Sequence, residues 1–400
     1  HDQTRRQRQM CIRDSLYSEA EQELSKFAKK HNIPVTSTVM GIGCMTKDDP
    51  YYISAVGALG EGSSNSLSKD TDLALAIGTK LADFTTGSWA NFENPNFKLV
   101  SVNTARYDTT KHLATPVISD AKVGLQKISE ALGDWKAPDD WYKRAIKEKN
   151  EWDAYVEKQS GPTNQEEPSY AHAVGAVYRN SDPSDIVVTA AGGLVGEVVQ
   201  VWKPKQLNTF ETEWGFSCMG YEISGALGIK MAKPDQDVVV FVGDGSYLLN
   251  NTDIYSSVIY DQKLIIIVCD NGGHMVINRL QLAKGGKEYI CNLRAARATN
   301  LKFVDFENHA KSMGANAETV SSTSELEAAY KRAKDSDKTY VITIKTHGYE
   351  WLEGTAFWES PTLQDPITDI NKIGVEDFVC GMSKVRYGVY FLTSIICVCL

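Results

Sequence analysis

Two unbroken apolar runs dominate the hydrophobic pattern of this chain. Val238-Val239-Val240-Phe241-Val242 stops at Gly243-Asp244-Gly245-Ser246, and Ile265-Ile266-Ile267-Val268-Cys269 stops at Asp270-Asn271-Gly272-Gly273. β-Branched runs of strand length without polar alternation mark strands buried on both faces, as in a parallel sheet. Between them Leu248, Leu249, Ile254, Val258 and Ile259 recur at spacings near three and four, which predicts one crossover helix over 247–261 and hence a βαβ unit. Both strands of such a unit end at the carboxyl edge of the sheet, where open α/β folds bind ligands. Asp244 and Asn271 are therefore expected to face one site.

The same pattern organises the rest. It predicts an amphipathic helix over 16–30, a short strand at Ile33-Pro34-Val35-Thr36, strands over 72–78 and 98–103, and helices over 120–132 and 141–158. Further on it predicts strands at 186–190 and 340–345, a helix from Gly220 to about Lys230, and helices at 306–313 and 324–333. The expected fold class is α/β, with two doubly wound parallel-sheet domains over 16–132 and 169–360, joined by a polar helical connector over 133–168. Residues 1–15, arginine-rich and poor in apolar groups, read as a disordered or foreign leader. Residues 361–400, Cys-rich and unlike the body, read as a tail that is either non-native or authentic.

Composition narrows the partners. Four hundred residues suit two domains, and a net charge of −9 without a basic stripe argues against nucleic acid. The eight cysteines show no CxxC pairing, which favours reduced thiols in a cytoplasmic enzyme over disulfides or structural zinc. The longest apolar run, 385–400, contains Arg386 and falls short of the roughly 20 residues that span a bilayer.

The candidate chemistry sits at the two strand ends. A carboxylate at Asp244, an amide oxygen at Asn271 and the Gly273 carbonyl are hard oxygen ligands suited to Mg²⁺, which leaves positions for water and phosphate. Gly243 and Gly245 let backbone N–H groups approach an anion. Together they imply a Mg²⁺-held diphosphate. Gly60-Glu61-Gly62 and Gly78 do not complete a G-x-G-x-x-G array, and scaffold is the better reading there.

Gly-Asp-Gly, a crossover, then Asp-Asn with a Gly two places on resembles the motif of thiamine diphosphate (ThDP) enzymes such as acetolactate synthases and 2-oxo acid decarboxylases. The resemblance implies that Asp244, Asn271 and Gly273 hold Mg²⁺, and that Gly192, Gly193, Gly243, Gly245 and Ser246 lie near the diphosphate. It also implies that Cys218 and Met219 lie at the cofactor, Met219 as the apolar wedge that bends its two rings together. Residues 16–132 are similar to the Rossmann-like middle domain of these enzymes, and 169–360 to the domain that binds ThDP diphosphate. The segments Glu213-Trp214-Gly215-Phe216-Ser217-Cys218-Met219-Gly220-Tyr221-Glu222 and Phe84-Thr85-Thr86-Gly87-Ser88-Trp89 are similar, more narrowly, to the hydrolases of myo-inositol catabolism that open the ring of trihydroxycyclohexane-1,2-dione.

That likeness implies a ThDP- and Mg²⁺-dependent hydrolase of a C–C bond in a polyol-derived diketone, working as a homodimer or homotetramer. Gly272-Gly273-His274-Met275-Val276 and Trp351-Leu352 depart from the family's runs at positions facing substrate, and His274 is a candidate substrate contact. The catalytic assignment stays open, because the family's activating glutamate lies on an amino-terminal domain with no counterpart here. Glu197 and Glu222 are not candidates for it. The chain is thus expected to be a fragment, inactive alone. Two alternatives remain: an acetolactate synthase-like or decarboxylase-like enzyme, and a non-catalytic module of the same fold.

Overall fold

The computed structural model describes residues 8–12, by their backbone, and 18–355, apart from 284, 289 and 297–299. These fall into two units, one comprising the described residues up to Asn271 and from Asp305 onward, the other running from Gly272 to Val304.

The larger unit contains two six-stranded sheets, both wholly parallel. In the first, β1 (Arg8–Ile12), β2 (Val35–Ser37), β3 (Tyr52–Ala55), β4 (Leu73–Ile77), β5 (Lys98–Asn103) and β6 (Thr115–Ile118) lie in the order β3-β2-β1-β4-β5-β6. In the second, β7 (Ile186–Thr189), β8 (Phe210–Thr212), β9 (Val238–Gly243), β10 (Ile265–Asp270), β11 (Asn316–Val320) and β12 (Tyr340–Lys345) lie in the order β11-β12-β10-β9-β7-β8. The α/β class with parallel sheets is the class expected.

The apolar runs work as their lack of alternation predicts. Val239 and Phe241 of β9, with Ile265 and Ile267 of β10, enter a core shared with the helices Tyr170–Arg179, Leu194–Val201 and Thr323–Asp335. Val238, Val240 and Val242, with Ile266 and Val268, enter a second core with Tyr221–Ala232 and Phe306–Ser312. Successive residues of a strand point to opposite faces, so both faces of this sheet are covered.

The helix Asp139–Gln159 serves both sheets. Its outer face carries charge pairs such as Arg144 with Glu148 at 2.7 Å. Trp141 and Ala145 pack with Ile53 and Leu67 beside the first sheet, while Val156 joins a core of the second.

Four expectations need correction. The disorder predicted over 1–15 fails at Arg8–Ile12, whose backbone pairs with both β2 and β4. Two rows of N–H and C=O groups must be satisfied between those strands, a demand on backbone that composition does not report. The crossover over 247–261 is not one helix but two, Asp244–Leu249 and Asp253–Ile259. Asn250 is extended between them (φ −151°, ψ 96°), and the Asn251 amide donates to the Tyr247 carbonyl at 3.0 Å, a local side-chain bond that competes with helix continuation. The first helix runs over Glu21–His31, not from residue 16. β3, β6, β8 and β11 went unpredicted; all four are edge strands, which carry no continuous apolar run. The tail at 361–400 lies outside the described residues.

The smaller unit holds the helix Met275–Ala283, a 3₁₀ turn at Leu293–Ala295 and an antiparallel bridge between Gly273 and Asn292. Among the described residues no helix is long and apolar enough to cross a membrane. Among the described residues Cys44, Cys218, Cys269 and Cys291 form no disulfide.

Candidate functional site

β7, β9 and β10 are adjacent and parallel, so their carboxyl ends deliver three turns to one edge of the second sheet. β7 supplies Gly192 and Gly193, β9 supplies Gly243 and Asp244, and β10 supplies Asn271. Asp244 is the first residue of its helix, with Gly243 as the N-cap, so Asp244, Gly245 and Ser246 form a helix start rather than an open loop. Asp244 and Asn271 are each only 5% exposed.

The polar accounting at Asn271 is informative. Its Nδ2 donates to the Tyr170 hydroxyl at 2.6 Å, whereas its Oδ1 is buried and has no hydrogen-bond partner among the described residues. A buried unsatisfied amide oxygen costs about 1–3 kcal/mol and calls for an unseen partner. Burial, reinforced by the carboxylates Asp244 and Asp270, pushes the Tyr170 phenol well above its ordinary range, so it stays protonated.

The glycines divide into two kinds. A Cβ at Gly192 or Gly243 would meet nothing within 4 Å, so the space before those turns is open. At Gly193 a Cβ would lie 2.0 Å from the Trp351 ring, and that ring meets Tyr170 edge-on at 5.6 Å. Only glycine lets the tryptophan close against this turn.

The loop after β8 is folded by its own carboxylates. Glu213 accepts from Phe216 N at 3.0 Å and Cys218 N at 2.9 Å. Burial works to raise Glu213, yet these backbone donors outweigh it and hold the carboxyl below its ordinary range. Burial and the Glu213 charge push the Cys218 thiol up, though its side chain is exposed, and half-buried Met219 sits in the turn that opens the helix Tyr221–Ala232. Glu222 accepts from Ala191 N at 3.2 Å and Gly220 N at 2.8 Å, tying the β7 turn to this loop. Burial raises its carboxyl, opposed by those donors and by the Ser246 hydroxyl. Glu197 accepts from Leu352 N at 3.0 Å. Both glutamates hold backbone in place.

Gly273 and His274 belong to the smaller unit. Gly273 has φ +147°, and a Cβ there would lie 2.3 Å from the Cys291 carbonyl, so the position admits only glycine. His274 N donates to the same carbonyl at 2.8 Å, and burial lowers the His274 imidazole. Gly60 and Gly62, weighed as part of a nucleotide loop, are packed instead: Cβ atoms there would lie 2.6 Å from Gly57 N and 2.5 Å from the Trp152 ring. Tyr170 is the residue the sequence reading misses; only a Ser-Tyr pair opening a helix marks it.

The donor chemistry fits a metal-held diphosphate. One carboxylate and one amide oxygen, buried side by side on adjacent strand ends, form a hard-oxygen pair beside open glycine turns. Among the described residues no group of three His, Cys, Asp or Glu side chains is placed to hold a metal.

Comparison with known proteins agrees. Residues 13–128 match the thiamine pyrophosphate enzyme central domain, and 190–344 match the thiamine pyrophosphate enzyme C-terminal TPP binding domain. The chain is 32% identical over 378 residues to a 3D-(3,5/4)-trihydroxycyclohexane-1,2-dione hydrolase of Geobacillus thermodenitrificans, covering 85% of this chain and 58% of that protein. Proteins of the same name from Lacticaseibacillus casei (31%; 86% of this chain, 57% of that protein) and Clostridium tetani (32%; 87% and 60%) are similarly related. The chain thus spans just under three fifths of the length of these relatives. With both of its sheets matched to domains of one kind, the chain belongs to the thiamine pyrophosphate enzymes.

Proposed function

We propose that Asp244, Asn271 and the Gly273 carbonyl hold Mg²⁺, and that the metal in turn holds the diphosphate of ThDP. What carries the reading is Asn271, whose buried amide oxygen has no partner among the described residues while its nitrogen is committed. Gly192, Gly193, Gly243, Gly245 and Ser246 would line the diphosphate, with Cys218 and Met219 nearer the thiazolium ring.

We further propose that the whole protein hydrolyses a C–C bond of a cyclic 1,2-diketone, opening the ring of trihydroxycyclohexane-1,2-dione in myo-inositol catabolism, as a cytoplasmic homodimer or homotetramer. The names of the relatives support the ring substrate and its hydrolysis. When bound, ThDP supplies a carbanion and an electron sink. The described residues hold the metal, fix the turns and exclude water from the strand ends. His274, lowered by burial and so neutral, would hydrogen-bond a substrate hydroxyl. Activating the cofactor needs a carboxylate that moves a proton, and Glu197 and Glu222 are committed to backbone N–H groups. That carboxylate would therefore be neither of these two glutamates.

Product analysis tests the function. The full protein, given the cyclic dione with ThDP and Mg²⁺, is expected to yield the ring-opened acid and to leave pyruvate untouched. Acetolactate or acetaldehyde from pyruvate, without ring opening, would transfer the chain to the carboligases or decarboxylases.

A further inference from the structure

We propose that Tyr170 is a positioning residue that turns the Asn271 amide so that its oxygen, and not its nitrogen, is offered to the metal. The inference rests on the reading of Asn271 as a Mg²⁺ ligand.

The two ends of an asparagine amide are nearly identical in shape, so packing alone does not choose between them; hydrogen bonding does. Only the oxygen can ligate a cation. The Tyr170 hydroxyl accepts from Asn271 Nδ2 at 2.6 Å, and Oδ1 is left to face away. A phenol can also donate, which would turn the amide over. Here the amide nitrogen is the end that meets the hydroxyl, so the phenol acts as the acceptor.

Tyr170 itself is held. It is 4% exposed and is the first residue of the helix Tyr170–Arg179. Ser169 caps that helix, its Oγ accepting from His172 N at 3.3 Å while Ser169 N donates to His172 Nδ1 at 3.3 Å. The Trp351 ring stands edge-on to the tyrosine. The hydroxyl that orients the ligand therefore has little freedom to follow a misplaced amide. Outer partners of metal ligands commonly matter this way, their loss costing about 10–100-fold in metal affinity.

The test measures the Mg²⁺ dependence of ThDP binding to the full protein by calorimetry, beside ligand-free melting temperatures. Tyr170→Phe is expected to weaken Mg²⁺ about tenfold or more. Asn271→Asp makes both ends of the ligand oxygen, so in that background Tyr170→Phe should leave Mg²⁺ affinity nearly unchanged. Equal losses in both backgrounds would mean the tyrosine acts only on the fold, and no loss in either would remove it from the site; each overturns the proposal. If Tyr170→Phe also lowers the melting temperature, Trp351→Phe loosens the packing but keeps the hydroxyl. Unchanged Mg²⁺ affinity there supports the proposal, and a loss matching that of Tyr170→Phe overturns it. Asn271→Ala with undiminished Mg²⁺ affinity would instead overturn the reading of Asn271 as a ligand.

Discussion

At Asn271 a single side chain states both what the fold provides and what it lacks, since its nitrogen is tied to Tyr170 and its oxygen is not. Gly193 shows the same economy of space. A methyl there would lie 2.0 Å from the Trp351 ring, and because Trp351 also stands against Tyr170 the ring cannot retreat freely. Gly193→Ala is therefore expected to destabilise the protein by about 1–3 kcal/mol, the usual cost of overpacking a filled site. Urea unfolding measures this; an unchanged midpoint would show that the tryptophan yields. The placement of Asp244 and Asn271 at adjacent strand ends was legible in the sequence because each follows an unbroken apolar run. Tyr170 was not, because its partner lies 101 positions away and no local pattern announces a pairing across that distance.

At the scale of elements, legibility followed burial. β5 and β12 run over the residues predicted, since consecutive apolar residues, Leu99-Val100 and Val341-Ile342, put apolar groups on both faces of each strand. The crossover misled because apolar spacing persists through Asn250, and the break comes from polar side chains that the period ignores. The glycine loop at 57–62 is the clearest case of a motif that is scaffold. Asn65 fixes it with four bonds: its Oδ1 accepts from Gly57 N at 2.9 Å and Asn91 Nδ2 at 3.0 Å, and its Nδ2 donates to Gly57 O at 3.1 Å and Gly354 O at 2.9 Å. Asn65→Leu strands several buried polar groups, so a loss of about 2–4 kcal/mol is expected on chemical denaturation. A loss under about 0.5 kcal/mol, typical of surface sites, would contradict the scaffold reading.

At the scale of the whole larger unit, a buried ion pair joins the two sheets. Glu61 precedes the helix Gly62–Asp70 beside the first sheet, and Lys203 follows the helix Leu194–Val201 beside the second. Glu61 is 2% exposed, and burial pushes its carboxyl up to about 7; Lys203 opposes that shift and Asp153 adds to it. A folded-state value above the ordinary 4.5 means that the native state binds more protons across that interval. Stability attributable to Glu61 is therefore greatest below pH 4.5 and declines as pH rises to about 7. Chemical denaturation of wild type and Glu61→Gln between those values should show the wild type losing stability relative to the variant as pH rises. Parallel profiles would mean that the lysine keeps the carboxylate ionised throughout.

The central claim is that Asp244 and Asn271 hold Mg²⁺ for a diphosphate, and calorimetric titration of the full protein with ThDP, with Mg²⁺ and then with chelator, tests it most directly. The account predicts binding that requires Mg²⁺ and is lost in Asp244→Ala, with the ligand-free melting temperature of the variant unchanged. Binding that persists without the metal, or equally in Asp244→Ala, would contradict it.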